Sequence, residues 1–317
     1  MKPFDILVVG ELNVDLILSQ VQEFPRMGAE ILAKDMVLTL GSSSAIFACN
    51  ASTLGSKVGF VGKIGTDSFG TLVIDTLKAK NVKTVHIIRA SDYKTGITVA
   101  LSFGNDRAMV TYPGAMEYLS GENVTDQLLS EARHMHVSSV FLQPQIKRDI
   151  QSIFERAKKA GVSTSLDTQW DPSEKWDLDL AKLLPFVDVF IPNEDEILRL
   201  TGAASVEAAI EKLKPKANWI VVKMGTKGSI AWANGKMHRA EPYLNSQVVD
   251  AIGAGDSFDA GFVSQFVRGA AIEKCMRVGN LAGAINTTGA GGTGAFSSLE
   301  KVQAIARERF NVLPADF

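Results

Sequence analysis

Residues 135–166 read MHVSSVFLQPQIKRDIQSIFERAKKAGVSTSL, and the order of patterns in this stretch sets the fold class. Met135–Val140 and Ser163–Leu166 are short runs rich in β-branched and apolar residues, as strands are. Between them Ile150, Ile153, Phe154 and Ala157 make one apolar helical face, and Gly161 stands where a helix commonly stops. Strand, helix, strand is the crossover unit of a parallel sheet. Similar short runs recur at Ile6–Val9, Val187–Ile191 and Trp219–Lys223, the later ones separated by helical patterns. Val187-Asp188-Val189-Phe190-Ile191 is almost continuously apolar, which is expected where helices cover both faces of the sheet. The expected class is α/β with a mainly parallel central sheet, and ligands then bind beyond the carboxyl ends of the strands.

Two stretches break this rhythm, Asp15 to about Leu40 and Thr95 to Tyr112. In the second, Ile97–Leu101 leads through Gly104-Asn105-Asp106 into Ala108–Thr111, which reads as a hairpin with its turn at Asn105-Asp106. Inserted strands of this kind make either a small lid or an extra edge hairpin, and the lid is the expectation taken forward. The domain expectation is therefore one unit over residues 1–317, with the lid as a discontinuous insertion at about 15–40 and 95–112. A chain of 317 residues, nearly half of them apolar, can bury a large core.

Composition narrows the partners. The formal net charge is −2 with Lys and Arg spread along the chain, so no basic stripe suggests nucleic acid. The apolar runs are strand-sized and the amino terminus lacks a basic segment followed by an apolar core, so a soluble, unexported, cytoplasmic protein with no membrane partner is expected. Cys49 and Cys275 are far apart and lack metal or redox spacing, which fits two packed thiols in a reducing compartment.

The segment richest in chemistry is Asp250-Ala251-Ile252-Gly253-Ala254-Gly255-Asp256-Ser257-Phe258-Asp259-Ala260-Gly261-Phe262. Phe258, Phe262, Val263, Phe266 and Val267 repeat at helical spacing, so a buried helix begins near Ala254 and Asp256 falls in its first turn. Glycines there allow close approach of the backbone, and the free N–H groups at the positive helix end make a cradle for anionic oxygens. A carboxylate beside such a cradle repels phosphate, but it can take the proton of a hydroxyl that attacks phosphorus. The alternative is that Asp256 only stabilises the helix amino terminus.

This segment resembles the D-T-x-G-A-G-D-x-F signature of the ribokinase-like (PfkB) carbohydrate kinases, with Ala251 in place of Thr. The similarity extends over nearly the whole chain, through Gly10-Glu11-Leu12-Asn13-Val14-Asp15, through Gly55 and Gly59–Gly70, and through Asn193-Glu194-Asp195-Glu196. It implies a three-layer α/β sandwich with a β-stranded lid that closes over the sugar and often forms a dimer contact. It implies ATP and Mg²⁺ as cofactors. Asp256 would be the base, with the N–H groups of Gly253, Ala254 and Gly255 as an anion hole. Asn193 and Glu196 match an N-x-x-E motif that organises Mg²⁺ through its waters, a role suited to an ion that keeps much of its hydration; a capped helix starting at Asn193 is the other reading. Lys223, Gly225, Thr226 and Gly228 match the nucleotide loop and Asn280 its adenine side. The carbonyls of Asp250 and Ile252 match positions that hold a monovalent cation such as K⁺ in some members. Asn13, Asp15, Gly41 and Ser42 match the sugar side.

Two further motifs depart from the family. G-G-x-x-x-N becomes Gly41-Ser42-Ser43-Ser44-Ala45-Ile46, so an apolar residue replaces a sugar ligand, with Asn50 one helical turn on. D-x-N-x-R becomes Asp167-Thr168-Gln169-Trp170-Asp171, which puts an aspartate where an anion-binding arginine would stand. The substrate expected is therefore a neutral sugar; a nucleoside or sugar acid, or a non-catalytic sugar-sensing role, are the alternatives. Arg26, Arg107 and Lys147 are the cations that would change this if they reached the site. Gly289-Ala290-Gly291-Gly292-Thr293-Gly294 matches a dinucleotide fingerprint literally, but it follows a helical stretch where a strand is required. His134 and His136 alternate on a strand and read as packed residues, because a third metal ligand is not evident.

Overall fold

A computed structural model describes residues 2–103 and 106–313. Its strands are β1 (Phe4–Val9), β2 (Asn13–Ser19), β3 (Asp35–Leu40), β4 (Val58–Gly65), β5 (Ile87–Ala90), β6 (Gly96–Phe103), β7 (Asp106–Tyr112), β8 (Ala132–Ser138), β9 (Ser163–Asp167), β10 (Val189–Phe190), β11 (Trp219–Lys223), β12 (Ser229–Ala233) and β13 (Lys236–Ala240). Its helices are α1 (Ser43–Thr53), α2 (Ser68–Ala79), α3 (Asp126–Ser130), α4 (Pro144–Lys159), α5 (Leu180–Leu183), α6 (Glu194–Thr201), α7 (Val206–Leu213), α8 (Ala254–Val267), α9 (Ile272–Asn286) and α10 (Leu299–Phe310).

One sheet has nine strands in the order β13-β12-β11-β10-β9-β8-β1-β4-β5. From β11 to β5 every pairing is parallel, and β12 and β13 close one edge as an antiparallel hairpin. The alternation of β1 shows why helices must lie on both faces. Ile6 and Val8 pack with Phe47 of α1 and Phe258 and Phe262 of α8, whereas Leu7 and Val9 pack with Ile150, Ile153 and Phe154 of α4. The result is the three-layer sandwich, with a buried core on each side of the sheet.

The crossover over residues 135–166 forms as its pattern requires. Pro144 opens α4, Arg156, Lys158 and Lys159 lie in its last turn, and Gly161 follows at φ 68. Two strands end earlier than the sequence expectation. The run expected to reach Val140 ends at Ser138, because Ser139 turns into the left-handed region and Val140 starts a 3₁₀ turn. The run Val187–Ile191 contributes only Val189 and Phe190 as strand; the Asp188 carboxylate instead accepts the N–H of Thr164 at 2.8 Å.

The two irregular stretches meet in a second sheet of order β3-β2-β6-β7. β6 and β7 pair antiparallel from Ile97 opposite Tyr112 to Phe103 opposite Asp106, and β2 joins β6 in parallel register from Asn13 opposite Gly96. The expected turn residue Asn105 lies outside the described residues. This small sheet is the lid, and β2 carries it directly from the end of β1. Among the described residues no helix is long and apolar enough to cross a membrane.

Phe154 is fully buried between α4 and the sheet. Phe154→Ala should lower the unfolding free energy by about 3–5 kcal/mol. A urea titration that found no shift in midpoint would show that this face is not part of the core.

Candidate active site

The carboxyl ends of β11, β10, β9, β8 and β1 lie side by side in the sheet, and the amino terminus of α8 is packed against them. Gly253 makes the approach possible. It adopts φ 76, and a Cβ there would lie 2.6 Å from the Cα of Gly292 and 3.1 Å from Ile46. α8 then starts at Ala254 and places Asp256 in its first turn. The Ala254 N–H donates to the Ala251 carbonyl at 3.3 Å, so one of the N–H groups expected to face a phosphoryl group already closes a turn.

Asp256 is buried, and its Oδ1 accepts a hydrogen bond from Gln169 Nε2 at 2.9 Å. The Ser43 hydroxyl, at the start of α1, also bonds to this carboxylate. Burial, and then the nearby charge of Asp167, push the Asp256 carboxyl up to about 7, although Lys223 opposes the shift. One helical turn on, Asp259 faces the same way.

Lys223 ends β11 with its ammonium buried, 2.8 Å from Asp167 and 3.2 Å from Asp259. Burial alone would lower this lysine, but the two carboxylates hold it well above its ordinary range. One cation cannot neutralise both. Burial pushes Asp167 upward, yet the closer ammonium and a hydrogen bond from Asp259 hold it below the usual carboxylate value, while burial raises Asp259 well above it. A Cβ at Gly255 would lie 3.7 Å from Lys223 Nζ, so the ammonium stands beside the first turn of α8. The sequence placed Lys223 in the nucleotide loop; its charge is in fact committed to the carboxylates behind that loop.

Asn193 and Glu196 are together and bind each other. Asn193 caps α6 by accepting the Glu196 N–H at 2.9 Å, and the Glu196 carboxylate accepts the Asn193 N–H at 3.0 Å and its side-chain amide at 2.6 Å. Burial and the Asp167 charge raise Glu196 to about 8. Among the described residues no group of three or more His, Cys, Asp or Glu is placed to hold a metal ion. A buried acidic residue behind the pocket, without a ligand set, fits an ion that keeps its waters better than one bound directly.

On the lid side, Asn13 Nδ2 donates to Asp15 Oδ1 at 3.1 Å and to Thr98 Oγ1 at 3.1 Å, and Thr98 bonds to Thr111 across β6 and β7. A Cβ at Gly41 would lie 2.2 Å from Asp15 Oδ1, so a side chain there would displace the Asp15 carboxylate. Ser42 caps α1 through the Ala45 N–H and donates its hydroxyl to the Glu11 carbonyl, so its hydroxyl serves the loop. Buried Glu11 is bonded to both the hydroxyl and the N–H of Ser44, and burial raises its carboxyl. The loop from Gly41 to Ser43 thus connects Asn13 and Asp15 to the carboxylate of Asp256.

Gly225, Thr226, Gly228 and Asn280 line one cavity of about 340 Å³ with Gly255 and Tyr243. Its lining is largely apolar, as the flat base of a nucleotide requires. Asn280 spends its amide on the carbonyls of Ala240 and Glu241, which holds the wall of the cavity. The Asp250 carboxylate accepts the N–H groups of Ile252 and Gly291, and the Ile252 carbonyl accepts Asn286 Nδ2 at 2.6 Å.

Two sequence expectations, those for Asp171 and Ile46, need correction in detail. Asp171 does not project a bare charge, since its carboxylate accepts the N–H and hydroxyl of Ser173 and the N–H of Trp176. Ile46 packs behind Gly253 and Gly292, supporting the glycine turn. Gly289–Gly294 follows α9 with no strand before it, and Asn50 binds the Gly292 carbonyl. His134 and His136 are bonded to Ser163 and Ser165, and burial pushes His136 down to about 3, so the pair packs neutral. Sequence reasoning missed Asp167, Asp259 and Thr98. Asp259 was the most accessible of these, three residues after Asp256 on the same helical face.

A family model described as pfkB family carbohydrate kinase matches residues 4–298. The chain is 29% identical to a ribokinase of Haemophilus influenzae, over 89% of this chain and 92% of that protein. It is 28% identical to a deoxyribokinase of Salmonella typhi, over 94% and 97%. Among solved structures, the ribokinase of Arabidopsis thaliana complexed with ribose and ATP superposes with a TM-score of 0.80 at 26% identity, covering 95% of this chain and 99% of that one.

Replacing Lys223 by Met would leave Asp167 and Asp259 buried without their cation, a change that costs about 3–5 kcal/mol for such groups. The loss should be larger at about pH 8 than at about pH 5, because the abandoned carboxyls can hold protons in acid. Equal stability of the two proteins at both pH values would contradict the cluster.

Proposed function

We propose, from the premise that this chain belongs to the pfkB family of carbohydrate kinases, that it transfers the terminal phosphoryl group of ATP to a hydroxyl of a neutral sugar, with Asp256 as the base. The observation that carries this reading is the placement of Asp256: buried, in the first turn of α8 after a glycine turn, and raised to about 7. A carboxylate with that value is ionised above neutrality and is more basic than an exposed aspartate, so it accepts a hydroxyl proton more readily as the oxygen attacks phosphorus.

The sugar lies between the lid and α8 in this reading, with Asn13, Asp15 and Thr98 meeting its hydroxyls. ATP occupies the cavity walled by Gly225, Thr226, Gly228 and Asn280. First-turn N–H groups of α8 receive the transferred phosphoryl group. Mg²⁺ arriving with ATP supplies charge neutralisation at the phosphates, and Asn193 and Glu196 would act on its waters.

Neutral character is supported by where the cations stand. Lys223 is held by Asp167 and Asp259, Lys147 is 3.5 Å from Asp177, and Arg26 pairs with Glu23 on the surface. The Arg107 side chain lies outside the described residues. An anionic sugar would have to compete with a carboxylate for each of Lys223, Lys147 and Arg26. Exposed Met36, Val37, Met109, Val110 and Tyr112 on β3 and β7 support the further reading that two lids pair in a homodimer.

ATP consumption measured across neutral sugars, nucleosides, sugar acids and sugar phosphates should be strongest with a neutral sugar, and turnover should rise as pH passes through about 7. Asp256→Asn should bind ATP as before and lose turnover by orders of magnitude. Strong activity confined to an anionic sugar would overturn the substrate reading, and comparable turnover in Asp256→Asn would remove the base.

A further inference from the structure

One side chain stands between the base and the buried ion cluster. Gln169 follows β9 with φ 58, in the left-handed region that favours glycine. Its Nε2 donates to Asp167 Oδ2 at 2.6 Å and to Asp256 Oδ1 at 2.9 Å, so both hydrogens of one amide nitrogen are given to two different carboxylates. Its own N–H points to Asp167 Oδ1 at 3.4 Å. The opposite amide orientation would set its carbonyl oxygen against the same two acceptors, so the two contacts choose the orientation between them. A residue held in this backbone conformation, with its side chain spanning two buried groups, fits a site where the surroundings over-determine the geometry.

We propose that Gln169 is a positioning residue for Asp256, a neutral strap that ties one oxygen of the base to the Asp259–Lys223–Asp167 cluster. This rests on the reading of Asp256 as the base. The residue type matters because each substitute fails differently. A lysine here would pair with Asp256 and lower its basicity, a glutamate would add an acceptor facing two acceptors, and a leucine would leave the carboxylate free to turn toward Ser43. Gln supplies two donors and no charge. It also explains how Lys223 steadies a base that the hydrogen bonds do not connect to it directly: the ammonium fixes Asp167, and Asp167 fixes the amide that holds Asp256.

The charged and titratable groups acting on Asp256 come from every surrounding element. They are Asp167 at the end of β9, Lys223 of β11, Glu11 after β1, Glu196 of α6 and Asp259 of α8 itself, with Ser43 of α1 as a second hydrogen-bond donor. Loss of the Gln169 donor removes a stabilisation of the charged form while all these charges stay in place. The carboxyl must then titrate at higher pH.

The test is a ¹³C NMR titration of protein labelled at the aspartate carboxyl carbons, with the Asp256 signal assigned by its disappearance in Asp256→Asn. Gln169→Leu should raise the Asp256 midpoint by about one pH unit, and Gln169→Glu, which keeps the shape, should raise it further. If Gln169→Leu does not fold, Gln169→Glu decides the matter alone. On the best acceptor from the sugar panel, kcat should fall roughly ten- to hundredfold with KM for ATP within about twofold of the parent. An unchanged midpoint in the folded variants overturns the strap and leaves the base assignment standing. Turnover that survives in Asp256→Asn removes the base instead, while the Gln169 contact remains measurable in the titration.

Discussion

The site depends on a single buried ammonium. Lys223 reaches Asp167 and Asp259 in a region where Glu11, Glu196 and Asp256 are also buried, so the negative charge gathered there exceeds what one cation can offset. Removing water from such charges is expensive, and the cost is recovered only where geometry and hydrogen bonds are good. Asp167 is the well-served partner. The shortfall appears at Asp256, Asp259 and Glu196, all of which hold protons more tightly than exposed carboxyls do. In the proposed reading of Asp256 the protein gains a base of neutral strength by leaving it under-compensated, a trade between stability and chemistry that is common at functional sites.

The fold brings these groups together through one topological fact. Parallel strands end on the same edge of a sheet, so residues far apart in sequence, such as Asp167 at the end of β9 and Lys223 at the end of β11, become neighbours. The glycine turn at Gly253 then lets α8 come close enough for Asp256 to join them. The lid arises from the same edge: β2 leaves β1 after Glu11 and pairs with β6, which places Asn13 beside Thr98.

How much of this is legible in the sequence follows from the range of each interaction. Local patterns were readable. The helix face of Ile150, Ile153 and Phe154, the hairpin before Tyr112 and the start of α8 each depend on residues within a few turns of one another. The N-x-x-E pair at Asn193 and Glu196 was readable both as a motif and as a cap, and the structure shows the cap in full. The ion cluster was not readable, because its members are separated by 56 and 36 residues and meet only through sheet order. For Asp171, residue type suggested a free charge in the pocket. Its turn with Ser173 and Trp176, a side-chain choice made within its own loop, decided otherwise.

The central claim, that Asp256 is a base held against its own preference for water, has a direct thermodynamic consequence that needs no substrate. Its folded-state value of about 7 lies above the ordinary value of 3.8. The carboxyl therefore costs the fold nothing in acid below the ordinary value, costs more as pH rises toward 7, and costs most above it. Chemical unfolding of the parent and of Asp256→Asn across this range measures that cost. The account predicts that Asp256→Asn is the more stable protein by a few kcal/mol at about pH 8.5, with the advantage shrinking toward zero by about pH 4. A variant no more stable than its parent at alkaline pH, or one whose advantage does not change with pH, would contradict it.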